Sequence, residues 1–105
     1  MKAAVRHMVV FNLKWEKDSP EAKLFLKTAE ETFKQIKAAK KVMICHEVSP
    51  KNGFDYGFSF DFKTKEDYEA YNNHPLHINF VEKLWMTEVI DFLEIDLEET
   101  CATTK

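Results

Sequence analysis

The segment YNNHPLH, Tyr71 to His77, places a phenol and two imidazoles around one proline. Imidazole is the side chain whose unperturbed titration lies nearest neutrality, so these histidines are the first candidates for moving protons. Pro75 suits the first position of a helix and holds His74 extended, outside it. His77 then falls at the third helical position, where free backbone N–H groups carry partial positive charge and disfavour an imidazolium. A neutral imidazole is what a general base needs. Against a pocket, His77 could take a proton alpha to a carbonyl while the Tyr71 hydroxyl donates to the enolate oxygen. Plain structure competes with that reading: Tyr68 and Tyr71 lie one turn apart, a packing spacing, and His74 is placed to cap the helix.

His7 shares its strand phase with Val9, Phe11 and Leu13 and so faces an apolar layer. A lone histidine there is either a satisfied core residue or part of a pocket wall. The candidate catalytic residues are His77 and Tyr71; the candidate ligand contacts are His7, Tyr68, His74, Phe80 and Trp85. H-x-x-H across a helix start lacks the two-His-per-face spacing and placed carboxylate of a zinc site, so no metal is expected. Gly-rich phosphate loops, a nucleophile elbow and C-x-x-C are all absent, and no cofactor is expected.

Several elements must position these groups. Val5 to Leu13 reads as a strand apolar on both faces, hence central in its sheet. Ser19-Pro20 starts a helix with Ala22, Phe25, Ala29, Phe33 and Ile36 on one side, ending near Lys40. Val42, Ile44, His46 and Val48 alternate up to Asn52-Gly53, expected to supply the positive φ of a tight hairpin. Phe54, Tyr56, Phe58, Phe60 and Phe62 then share one strand face. Thr64 opens a short helix with Tyr68 and Tyr71, and Pro75 opens another with an apolar stripe of Ile78, Val81, Leu84 and Trp85. Ile90, Phe92, Leu93, Ile95 and Leu97 close as a last strand. The order predicts an α+β, ferredoxin-like fold: a four-stranded antiparallel sheet with helices on one face. The other sheet face is too apolar for water, and a second copy is its simplest cover.

At 105 residues the chain makes one domain, residues 1–98, with a polar tail over 99–105. A domain this small buries only about 60 to 65% of its unfolded surface, which leaves apolar area for a partner. The 15 basic and 18 acidic residues are interspersed without a basic stripe, so nucleic acid is not an expected partner. Cys45 and Cys101 form neither a metal spacing nor a disulfide framework, pointing to a reducing cytoplasm. Arg6 and His7 interrupt the apolar opening before a signal peptide's core forms, and no run approaches the roughly 18 apolar residues of a membrane span.

VRHMVVFNLK, DYGFSFDF, EDYEAYNNHPLHINFVEKLW and DFLEIDLE together resemble the stress-responsive A/B barrel domain, from about Val5 to Glu98. Y-x-x-H-P-x-H is the most specific part of the match. The resemblance implies a homodimer in which two sheets face each other as a dimeric α/β barrel. A plant member, olivetolic acid cyclase, closes a linear polyketide by a cofactor-free aldol step. Resemblance to it implies a base at His77 with Tyr71 as phenol partner, and matches His7 to a first-strand histidine. Where that cyclase carries a further cavity tyrosine, this chain has Ala29, which argues against the same substrate. The expected function is a homodimer that takes a small apolar, carbonyl or polyketide-like ligand and carries out proton transfer or aldol-type chemistry. A non-catalytic stress-response dimer and a cofactor-free monooxygenase are the alternatives.

Overall fold

Nine residues of alternating burial make β1 (Val5–Leu13) the spine of the sheet, with His7, Val9, Phe11 and Leu13 turned to the buried side. The computed structural model describes residues 3–100; residues 101–105 of the expected tail, Cys101 among them, lie outside the described residues. β1 pairs antiparallel with β3 (Tyr56–Phe62) on one side and β4 (Val89–Leu97) on the other. β2 (Lys40–His46) extends the sheet beyond β3, so the order is β2-β3-β1-β4 and β1 is central as expected. The fold is α+β and ferredoxin-like, with helices on one face of the antiparallel sheet.

α1 (Pro20–Phe33) starts at the Ser19 cap, whose Oγ accepts from the Ala22 N–H at 3.2 Å. It stops at Phe33, earlier than the expected Lys40. Gln35 and Ile36 each donate to the carbonyl three residues back, which tightens the chain into turns. Ile36 stays buried and continues the apolar stripe past the end of the helix. α2 (Lys65–Asn72) is capped by Thr64, whose Oγ1 accepts from Asp67 N–H at 3.0 Å.

The connection between β2 and β3 is not the tight hairpin that Asn52-Gly53 suggested, since Gly53 has no positive φ. Side chains build it instead. Asn12 donates to the Gly53 carbonyl and accepts from the Asp55 N–H, while Glu47 accepts from Asn52 and from the Ser49 N–H. Phe54 consequently lies before β3, and four aromatic residues rather than five alternate along that strand's buried face. Positive φ occurs at Asp18 and at Lys41, the latter in a bulge of β2 between Lys40 and Met43.

α3 (Pro75–Phe80) runs in unbroken helical dihedrals into a π-helical segment, Val81–Trp85, and a last turn, α4 (Met86–Glu88). The wider turn rephases the rod. Ile78, assigned to the apolar stripe, is 42% exposed, whereas Phe80 is buried at 2%. Phe80 and Trp85, five residues apart, face the same space because a π turn holds more residues than an α turn. The core between sheet and helices is aromatic, with Phe11, Phe25, Phe33, Phe58 and Phe80 in edge, tilted and stacked contacts at 4.7–6.5 Å.

Period-two alternation sends Met8, Val10, Leu93, Ile95 and Leu97 to the opposite sheet face, where the register sets Val10 beside Leu93 and Met8 beside Ile95. Met43 joins them across Ser59. Among the described residues no helix covers this face. Leu93, Leu97 and Met43 are each about half exposed in the single chain.

Candidate functional site

A cavity of about 360 Å³ lies between the helix face of the sheet and the rod that follows Pro75. β1 contributes His7 and Val9, β3 Phe58 and Phe60, and β4 Phe92 and Glu94. Its size is at the lower end for small-molecule sites, and its walls are mainly aromatic with a few polar groups.

His77 stands on α3 at this cavity. Its Nδ1 lies 3.1 Å from the Asn72 carbonyl, an acceptor only, so Nδ1 carries the proton and Nε2 keeps its lone pair. Burial holds the ring's pKa below its ordinary value, against the opposing pull of the Asn72 carbonyl. The imidazole is therefore neutral at pH 7, with Nε2 unpartnered among the described residues. The chain turns at Asn73–Pro75, and this corner brings the carbonyl at the end of α2 against the third residue of α3.

Tyr71, on α2, packs against His77 with the rings tilted at 44° and their centroids 4.4 Å apart. Phe33, Phe60 and Phe62 surround its ring, and the residue is 2% exposed. No hydrogen bond reaches its hydroxyl among the described residues, and burial raises its pKa far above the ordinary phenol value. A phenol held protonated by burial and without a protein acceptor among the described residues is a free hydrogen-bond donor next to a base.

His7 occupies the far wall, 6.3 Å from Tyr71 between ring centroids. Its Nδ1 meets Asp96 Oδ1 at 2.5 Å, directly across the β1–β4 ladder. Tyr68 donates its hydroxyl to Asp96 Oδ2 at 2.8 Å, and its oxygen sits 3.0 Å from the same Nδ1. Burial, then Asp96, raises the Tyr68 pKa well above ordinary, so its proton stays in place.

Of the residues expected at the site, His7, Tyr68, Tyr71, His77, Phe80 and Trp85 all line the cavity. His74 does not. Its Nδ1 accepts from the Leu76 N–H at 3.1 Å and caps α3, the structural role the sequence also offered for it. Asp96, Glu94 and Asn72 were missed. Alternation along β4 offered a signal for the two acids, because Phe92, Glu94 and Asp96 share a phase; nothing in the sequence marks the Asn72 carbonyl. Among the described residues no group of histidines, cysteines and acids is arranged to hold a metal ion.

The sequence profile described as Stress responsive A/B Barrel Domain matches residues 5–99. The chain belongs to this family. A stress-responsive A/B barrel protein of ferredoxin-like fold from Mesorhizobium loti is 38% identical, with a TM-score of 0.90 over 93% of this chain and 98% of that one. A dimeric ferredoxin-like protein of unknown function from Bacteroides fragilis is 21% identical, with a TM-score of 0.67 over 90% and 95%. The hydroxynitrile lyase of Passiflora edulis shares the fold at 13% identity, with a TM-score of 0.78 over 96% of each chain. No curated protein matches the chain significantly. Among the described residues no helix of this A/B barrel chain is long and apolar enough to cross a membrane.

Proposed function

We propose that this A/B barrel chain is a cofactor-free acid–base catalyst on a small apolar carbonyl compound, with His77 as base and Tyr71 as donor to the developing oxyanion. The observation that carries the reading is the held tautomer of His77. Asn72 fixes Nδ1–H, burial keeps the ring neutral, and Nε2 is left as a basic lone pair in an aromatic cavity beside an unpartnered phenol. The Tyr71 hydroxyl gains its first partner when a carbonyl oxygen becomes an enolate, so the bond is strongest where charge develops.

The same proposal includes a homodimer. Met8, Val10, Met43, Leu93 and Leu97 form an apolar sheet face that no element covers among the described residues, and a fold neighbour is dimeric. Facing sheets would bury that surface and rigidify β4, the strand that brings Glu94 to the cavity and Asp96 against His7.

The test is proton–deuterium exchange alpha to the carbonyl in a panel of methyl ketones and β-diketones in D₂O, followed by NMR. His77→Ala should lose the acceleration while remaining a dimer. Exchange at the wild-type rate in that variant, or no acceleration by the wild-type protein, would sink the proposal.

A further inference from the structure

The geometry points to a selector of ligand charge: Glu94, an unanswered carboxylate at the mouth of the aromatic cavity, makes it a site for an organic cation, a ketone whose apolar body carries a protonated amine. The inference rests on the proposed function above for the ketone end of that molecule and adds the other end.

Exposure divides the cavity lining into a floor and a mouth. Phe33, Phe58, Phe60, Tyr71 and Phe80 are each no more than 3% exposed and form the floor. Met86 at 72% and Phe92 at 50% stand where the cavity meets solvent. Glu94, exposed as well, follows Phe92 by two residues on β4 and so shares its face. The register sets it beside Val9, itself part of the lining. Among the lining residues Glu94 is the only aspartate, glutamate, lysine or arginine. No hydrogen bond or ion pair reaches its carboxylate among the described residues, whereas the next acid on this face, Asp96, is taken by His7 and Tyr68.

The charge of Glu94 is felt inside the cavity. Burial leads the pKa shifts of Tyr68, Tyr71 and His77, and the Glu94 carboxylate acts on all three, favouring the protonated form of each. A ligand cation beside Glu94 offsets that pull on His77 and so helps to keep the imidazole neutral while a carbonyl is in place. A ligand carboxylate would instead bring a second negative charge to a wall with no lysine or arginine to meet it. Aromatic rings complete the recognition. Trp85 and Phe92 meet at 73° with centroids 5.6 Å apart, a corner of the mouth in which an ammonium is attracted by the ring quadrupoles as well as by the carboxylate. The apolar body then lies on the floor, and the charged head keeps part of its contact with water.

The experiment titrates three probes of similar shape, phenethylammonium, phenethyl alcohol and phenylacetate, into the full chain and follows binding by NMR. The ammonium should bind about tenfold more tightly than the alcohol, as expected for one cation–π contact together with one solvent-exposed ion pair, and phenylacetate should bind least. Raising the salt concentration should shrink the preference. Glu94→Gln and Phe92→Leu should each lower the ratio of ammonium to alcohol affinity about threefold; Glu94→Gln alters an exposed side chain without changing its shape, and serves if Phe92→Leu fails to fold. α-Proton exchange should likewise be faster in an acetophenone bearing a para aminomethyl group than in its hydroxymethyl analogue. Equal affinity for ammonium and alcohol, or an unchanged ratio in Glu94→Gln, would overturn this inference while leaving exchange of neutral ketones, and the base at His77, standing. A cation preference with no exchange of any ketone would uphold Glu94 as the selector and overturn the proposed catalysis.

Discussion

Removing the hydroxyl of Tyr71 should make the protein more stable and less active. The ring of Tyr71 is packed by Phe33, Phe60, Phe62 and His77, all contacts that phenylalanine keeps. Its hydroxyl is buried without a hydrogen bond among the described residues. A buried hydroxyl left unpaired costs about 1–3 kcal/mol. The neighbouring cavity of about 360 Å³ is roomy enough to admit water to this group, which places the penalty at the lower end, about 1 kcal/mol. Unfolding entropy near 2.1 cal/mol/K per residue over 105 residues converts that to a Tm rise of about 4–5 °C.

The assay is calorimetry of wild type and Tyr71→Phe at one protomer concentration, since dimerisation makes Tm depend on concentration. The same samples report α-proton exchange, which should fall by about 10²-fold on loss of one oxyanion donor. A drop of several degrees in Tm would mean that the hydroxyl is bonded in the folded protein and not free to meet a ligand. A rise in Tm with full exchange activity would remove Tyr71 from the chemistry and leave it as packing.

Other perturbations test the remaining parts. Because burial lowers the His77 pKa, the unfolded chain binds more protons than the folded one below the ordinary value of 6.5; stability falls as pH drops through this window towards the lowered folded pKa. His77→Gln should flatten the slope between pH 7 and 5 in urea melts, and an unchanged slope would assign it elsewhere. Asp61 is held below its ordinary carboxyl range chiefly by the bidentate bonds from Arg6, at 2.8 and 3.1 Å, so it contributes stability present above pH 3.8 and lost on further acidification. In Asp61→Asn that acid-side loss should shrink, as read by thermal melts from pH 5 to 2. Leu93→Lys puts a charge midway along the edge strand on the open sheet face, beside Val10, and should give monomers by light scattering; a retained dimer would move the interface off this face.

The fold was legible wherever burial and periodicity agree. β1 announced its central place because both phases are apolar, and Ser19-Pro20 marked the start of α1 by chemistry that needs no tertiary context. The end of α1 was hidden because Ile36 keeps the apolar rhythm while the backbone has already tightened into turns. Asn52-Gly53 misled because the loop's shape comes from Asn12 and Glu47, distant in sequence or pointing back from the strand end. The π segment has no sequence signature in its five residues, yet it brings Trp85 to the cavity that Phe80 faces. At the site, side-chain types suggested His77 and Tyr71, but neither the Asn72 carbonyl that fixes the His77 tautomer nor the closeness of the two rings follows from spacing, since the corner at Pro75 interrupts helical periodicity.

β4 shows why a strand read only for its apolar residues conceals half its work. Leu93, Ile95 and Leu97 belong to the open face that seeks a partner, while Phe92, Glu94 and Asp96 belong to the cavity side, because successive side chains point to opposite faces. One nine-residue edge strand thus carries both the proposed association surface and the acid bonded to His7. Register links the two: a slip of one residue would send Asp96 into the apolar seam and Leu97 or Ile95 against His7. Apolar cover from a second sheet would therefore act on chemistry without touching substrate, by penalising every register but the one that sets Asp96 opposite His7. Disrupting that cover with Leu93→Lys should accordingly broaden the His7 Nδ1–H signal while sparing that of His77, whose anchor lies in the helices. Equal loss at both rings would instead report general unfolding and separate the sheet seam from the acid–base geometry.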